Sequence, residues 1–292
     1  MPDAAYFLNL ALNGFVEGTI IALAALAISL VFGLARFPNA AAGDTATVGA
    51  YAGLGAQAWF GLPVVAASLA AMAVGAAVSV FFYLTVFRRL LDRSPIAALV
   101  ASIGIAFVLR SVIIFFMGFE PHTLRMPLTR AISFGPLRIV PTDVYLAAAA
   151  LVTLLAVFLL LHRTPVGRRM RAVADNRDLA RVSGIEPRRI MLALWSMVGL
   201  ITGLAGMLLG IKTVVMPEMG WDILLPAFSA AILGGIGSPA GAVFGSLLLG
   251  IAQELSTPFV GFTYKRGLAF LVLLLVLLLR PGGLFGRPEA VR

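Results

Sequence analysis

The chain has 292 residues, 61% of them hydrophobic and only 12% charged, with a net charge of +9 and no cysteine. A soluble domain carries about a quarter charged residues and a disordered chain has low hydrophobicity, so both classes are excluded, as are disulfide and thiolate chemistry. Long apolar runs, rather than ten-residue alternating strands, also exclude an outer-membrane barrel.

A helical span takes about 20 residues, and nine apolar segments follow in chain order: 8–34, 45–60, 63–87, 96–118, 143–162, 190–211, 223–236, 239–255 and 266–280. The expectation is an all-α polytopic membrane protein of eight to nine spans or half-spans. The amino-terminal stretch MPDAAYFLNL has no positive region before its apolar run, so it does not read as a cleaved signal peptide.

In the first half, 1–162, segment 1 carries Glu17 and segment 4 carries Arg110. At 1.5 Å per residue both lie about 12–13 Å from the outer ends of their spans, which predicts a structural ion pair between them. Segment 2, TATVGAYAGLGAQAWF, is short and rich in glycine.

The polar stretch 163–189 separates the halves and holds eight arginines. Placing it in the cytosol puts Arg36, Arg88, Arg89, Arg93, Arg280, Arg287 and Arg292 on the same side. Arg125, Arg130, Arg138, Lys212, Lys265 and Arg266 then lie outside. This asymmetry fits the positive-inside rule and accounts for the basic balance without nucleic-acid binding. It places the amino terminus outside and the carboxyl terminus inside. Within the loop, Val166, Met170 and Val173 share one face of a short amphipathic helix. Asp175 and Asn176 are N-cap types, so a second short helix begins there, runs through Asp178, Leu179, Ala180 and Val182, and stops at Gly184.

The second half, 190–292, opens with Gly199, Gly203, Gly206 and Gly210 on one helix face, spaced for close packing in lipid. Its second segment, ILLPAFSAAILGGI, is again short and is followed by GSPAG. Span 1 enters from outside and span 6 from inside, so the halves have inverted topology. Gly/Pro-interrupted segments at matching positions of inverted halves point to the substrate path. Glu254 is read as interfacial, near Lys265 and Arg266. The histidines, His122 and His162, are read as solvated or interfacial. Without cysteine or a histidine cluster there is no metal site and no catalytic constellation. Gly206 to Lys212-Thr213 has the spacing of a phosphate loop, but Ile211 stands at its second glycine.

Four passages, one of them containing a shorter motif, carry a resemblance. Asp178-Leu179-Ala180-Arg181-Val182-Ser183-Gly184 is similar to the E-A-A-x-x-x-G coupling motif of ABC importer permeases. ARFPNAAAGDTATVGAY at 35–51, TPVGRRMRAVADNRDLARVSGI at 164–185, AFSAAILGGIGSPAGAVFGSLLLG at 227–250 and LLLVLLLRPGGLFG at 273–286 extend it over nearly the whole chain. The sequence resembles LivH-type permeases of branched-chain amino-acid ABC importers. Ala40 and Ala42 stand where that family usually has Phe and His.

The resemblance implies a type II-like importer permease with no cofactor of its own. Its partners would be a homologous LivM-type permease, two cytoplasmic ATPases holding ATP–Mg and a periplasmic solute-binding protein. It implies that Arg177, Asp178, Leu179, Ala180, Val182 and Gly184 couple to an ATPase cleft. Asn39, Asp44, Thr45, Thr47, Tyr51, Gly234, Gly235 and Ser238 are the path-lining candidates.

Overall fold

The structure is a computed structural model describing residues 4–91, 94–127, 130–134, 137–261, 264–279 and 282–285. Arg93, Arg280, Arg287 and Arg292 lie outside the described residues. Every apolar segment becomes a helix. These are α1 (Ala4–Ala35), α2 (Ala41–Phe60), α3 (Val64–Phe82), α5 (Pro95–Met117), α6 (Pro141–Arg163), α9 (Pro187–Lys212), α10 (Met219–Gly234), α11 (Pro239–Val260) and α12 (Lys265–Leu279). A π-helical turn at Tyr83–Phe87 carries α3 into the short α4 (Arg88–Leu90). Among the described residues, six helices are long and apolar enough to cross a membrane: α1, the α3–α4 rod, α5, α6, α9 and α11.

The sequence marks many of the helix starts. Pro95, Pro141, Pro165, Pro187 and Pro239 each occupy the first turn of a helix, where the missing N–H loses no bond. Ser94, Thr164 and Ser238 accept the backbone N–H three residues on, satisfying donors that the helix leaves orphaned. The loop between α5 and α6 contains a small antiparallel hairpin, β1 (Ile132–Phe134) with β2 (Leu137–Ile139), which the apolar pattern does not announce.

Two glycine seams hold the bundle together. Along α1, Gly14 lies against Gly250, Gly18 against Ser246 and Leu247, and Gly33 near Gly237, so α1 and α11 run antiparallel. Gly75 of α3 meets Gly199 and Gly203 of α9, and Ala71 meets Gly203, so these two are antiparallel as well. In lipid, where apolar area supplies no driving force between helices, close backbone approach supplies the packing. A Cβ at Gly206 would stand 1.7 Å from the Ala46 carbonyl oxygen of α2. Residues 18–31 of α1 are buried all round, as a central helix requires.

The packing is paired. α1 lies on α11 as α9 lies on α3; α2 packs on α3 and α9 as α10 packs on α11 and α1. α5 flanks α2 as α12 flanks α10, and α2 meets α10 at the centre. α6 has no counterpart in this pairing and leans on α1 and α9.

The bundle has two rims. At one, Arg138 N–H donates to Asn9 Oδ1 (2.9 Å), Phe7 stacks on Phe259 and Lys212 pairs with Asp143 at 2.6 Å. At the other lie α7 (Pro165–Asp175) and α8 (Arg177–Val182), with Arg36 Nη2 donating to the Ala174 carbonyl. The backbone N–H groups of Leu284 and Phe285 reach the carbonyls of Leu233 and Gly234 at the end of α10. The described ends of the chain thus lie at opposite rims.

Candidate functional site

Two short helices start inside the bundle. After Arg36, whose φ is +58°, residues 36–40 turn inward, and Asn39 Oδ1 accepts the Ala41 N–H (3.1 Å) as α2 begins. After α9, residues 213–218 fold back, with Val215 and His122 exchanging backbone hydrogen bonds of 2.8 and 2.9 Å, and α10 begins at Met219. The two starts meet: a Cβ on Gly43 would sit 2.4 Å from the Gly220 carbonyl oxygen, and one on Gly220 2.4 Å from that of Gly43. Only glycine on both sides permits this crossing.

Charge is concentrated at the crossing. Asp44, in the first turn of α2, accepts from Arg110 of α5 through Nε to Oδ1 (3.1 Å) and Nη2 to both oxygens (3.0 and 3.2 Å). The Asp44 side chain is 1% exposed and that of Arg110 14%. The guanidinium lies 5.2 Å from the Trp221 ring in the first turn of α10 and 5.7 Å from Phe107, and ring faces attract such a cation. A carboxylate in a first helical turn is itself favoured by the helix dipole.

The expected Glu17–Arg110 pair does not form. Glu17 instead shares the Lys265 ammonium with Glu254, joining α1, α11 and α12 near the hairpin rim. Similar depth along two spans says nothing about which way each side chain faces round its helix. Glu254 meets Lys265 as expected, with a side chain 14% exposed. His122 departs as well, since among the described residues its buried Nε2 has no hydrogen-bond partner and its ring meets Tyr51 edge-on at 6.2 Å.

The remaining path candidates divide into two places. Asn39, Asp44, Thr45, Thr47 and Tyr51 lie along the start of α2 and are all buried. Thr45 and Thr47 donate to carbonyls of their own helix, and the Tyr51 hydroxyl is buried without a partner among the described residues. Gly234, Gly235 and Ser238 sit instead in the tight turn between α10 and α11, packed against Gly241 and Gly283. Asn39 and Thr45 line a small closed cavity with Ser79, Trp195 and Thr202. Its volume, about 10 Å³, has room for about one water. Trp195 stacks on Phe87 at 4.6 Å and its buried Nε1 has no hydrogen-bond partner among the described residues. Sequence reasoning passed over Trp195, Thr202 and Trp221; an indole beside Asp222 at the start of an apolar helix was the available signal for the last.

At the elbow formed by α7 and α8, the second helix starts and stops where its capping residues place it. Asn176 Oδ1 accepts from the N–H groups of Asp178 (3.0 Å) and Leu179 (2.9 Å), opening α8. Gly184, at φ +77°, ends it: its own N–H bonds the Arg181 carbonyl and that of Ile185 the Ala180 carbonyl, the paired closure that glycine allows. Ala180 points inward at 4% exposure, whereas Leu179 and Val182 stand out at 64% and 87%. In α7 the buried face is Gly167, Met170 and Val173. Val166, expected on that face, is exposed, because Gly167 takes the close contact with the Leu161 carbonyl.

A helical bundle crossed by broken, glycine-lined segments, with a stubby helix presented at one rim, defines a polytopic transport permease. The family profile described as the permease component of branched-chain amino acid transport systems matches residues 10–277. The high-affinity branched-chain amino acid transport permease BraD of Pseudomonas aeruginosa is 30% identical over 99% of both chains. The LivH permease of Escherichia coli K12 is 30% identical over 97% of each. The chain belongs to this permease family. PsaBC from Streptococcus pneumoniae, solved in complex with Fab, superposes with a TM-score of 0.52 over 92% of this chain and 91% of that one, at 13% identity, so the fold is shared. The protein is therefore the membrane-spanning permease subunit of an ABC importer rather than an enzyme, and such importers work with ATPase and solute-binding partners.

Proposed function

We propose that this chain passes a branched-chain or other hydrophobic amino acid, or a related small solute, across the bacterial inner membrane. The branched-chain amino acid transport carried out by the relatives it matches along nearly their whole length supports the solute class. In this reading the elbow rim is cytoplasmic, the described amino-terminal end lies outside and the carboxyl-terminal end inside, in keeping with the arginines gathered at 163–189. The two antiparallel seams, α1 on α11 and α3 on α9, support halves of opposite orientation that rock against each other. A homologous LivM-type permease completes the pore, two ATPases hold ATP–Mg, and a periplasmic binding protein delivers the solute.

The observation that carries the proposal is α8. A six-residue helix, capped by Asn176 and stopped at Gly184, turns Leu179 and Val182 outward and anchors itself through Ala180. Exposed apolar side chains on a rigid stub suit a groove in a soluble partner. Arg177, Asp178, Leu179 and Val182 would enter an ATPase cleft, with Ala180 and Gly184 fixing the helix. The chain has no cysteine, so a Val182→Cys variant carries the subunit's sole thiol. An impermeant maleimide should label it in inside-out vesicles and leave it unlabelled in right-side-out ones, with the assembled ATPases protecting it. Labelling from the exterior would overturn both the sidedness and the coupling role.

A further inference from the structure

The polar elbow divides by charge. Between Asp143 and Asp175 the chain holds no acidic residue, and its four arginines, Arg163, Arg168, Arg169 and Arg171, gather at the corner where α6 turns into α7. Beyond that corner the charges are mixed, and Arg181 pairs with Asp178 and Arg189 with Glu186. One corner arginine closes a helix end, because the Arg171 guanidinium donates to the Leu161 carbonyl of α6. Arg163, Arg168 and Arg169 are exposed and make no ion pair among the described residues. The same corner is where the apolar surface of α6 stops. One face of α6 is buried through Leu146, Leu154 and Leu161. Its other face exposes Val152, Leu155 and Leu159 at 66%, 60% and 51%. One turn further on, that exposed face becomes His162 and Arg163. α6 is also the helix without a counterpart in the paired packing, so no described helix covers this side.

A surface that is apolar along a span and cationic at its end matches a phospholipid lying lengthwise against it. We propose that the α6–α7 corner binds an anionic phospholipid, with the headgroup phosphate held by Arg163, Arg168 and Arg169 and an acyl chain along the Val152–Leu159 face of α6. Guanidinium forks pair with phosphate oxygens in two directions at once, and each basic residue beside an anionic leaflet is worth about fivefold in binding. A zwitterionic headgroup brings its own ammonium, which the three cations repel. An acidic protein surface is the rival occupant. It would account for the arginines and leave the exposed apolar face that leads up to them without a partner. The lipid has a mechanical consequence. The Thr164 cap on the Gly167 N–H and the bond from Arg171 to Leu161 tie α7 back to the end of α6. A headgroup that offsets the corner charges therefore seats the base from which α7 and α8 project. The site does not depend on which solute is carried.

The test is native mass spectrometry of the purified full chain, delipidated in detergent and titrated with dioleoyl phosphatidylglycerol or dioleoyl phosphatidylcholine. The wild-type chain should retain phosphatidylglycerol roughly tenfold better or more. Arg163→Gln/Arg168→Gln/Arg169→Gln should erase most of that preference. Arg88→Gln/Arg89→Gln/Arg188→Gln removes the same charge from exposed arginines elsewhere and should keep it. Equal losses in the two triple variants would reduce the site to diffuse charge and overturn it. Equal retention of the two lipids by the wild-type chain would overturn it as well, and that comparison stands by itself if the first variant is not recovered. Displacement of phosphatidylglycerol by millimolar inorganic phosphate would make the corner a free-anion site, against the proposal. The complete importer, extracted with its ATPases, should still carry the lipid; its loss on assembly would give the arginines to a protein partner and end the lipid assignment.

Discussion

The glycine seams and the elbow use the same residue for opposite ends. Along α1, α3 and α9, glycine removes side chains so that backbones touch: Gly203 lies against Ala71 and Gly49, Gly206 against Ala46. At Gly184 nothing lies within 4 Å of where a Cβ would be, and what matters is the positive φ that ends α8. One region is intolerant of volume and the other of conformation. The seams therefore set whether the subunit exists as a bundle, and, in the function proposed above, the elbow sets whether force reaches it.

The sharpest way to break this contrast is Gly206→Leu. With the Ala46 carbonyl oxygen 1.7 Å from the new Cβ, no rotamer relieves the clash, and α2 must leave α9. Overpacking of this kind costs about 1–3 kcal/mol where neighbours yield and more where they are backbone. Loss of monodisperse protein in detergent, with a lowered Tm in whatever is recovered, is the expected outcome. A variant with wild-type yield and melting would show that the seam is not sealed.

The second test concerns the charged clasp of α12. Lys265→Met leaves Glu17 and Glu254 facing each other without their shared cation. Removing one member of a buried pair costs about 3–5 kcal/mol; the partial exposure of Glu17, 29%, reduces that toward the lower end. The melting temperature should fall and should recover when Glu17→Gln and Glu254→Gln are added. Failure of that rescue would mean that the lysine acts through packing of its stem.

The smallest structural effect belongs to the elbow. Asn176→Ala removes the Oδ1 that accepts from the Asp178 and Leu179 N–H groups, a cap worth about 1 kcal/mol, and does not touch the bundle. Melting should stay within about one or two degrees, as expected for a small change at an exposed terminus. ATP-driven uptake should nevertheless drop, because a frayed α8 presents Leu179 and Val182 in many directions. Equal losses of melting temperature and uptake would erase the distinction between the two regions.

Much of this was readable from the chain. Each apolar segment became a helix because backbone groups in a bilayer must bond within their own segment. The elbow was equally local: an Asn cap, one inward alanine and a glycine stop lie within nine residues of each other, from Asn176 to Gly184, so short-range geometry specifies them. The candidate site was legible only in part. Asp44 and Arg110 were both singled out, and their partnership was missed.

The sequence by itself determined which segments enter the membrane, where helices start and stop, and which faces can approach closely. Those properties depend on hydropathy, capping and side-chain size along a single helix. The tertiary structure alone decided that α2 crosses α10 at Gly43 and Gly220, that Arg110 turns to Asp44 and Trp221, and that Lys265 collects Glu17 from the far end of the chain. Periodicity fixes height along a helix, and the direction a side chain faces is settled only when its neighbours are in place.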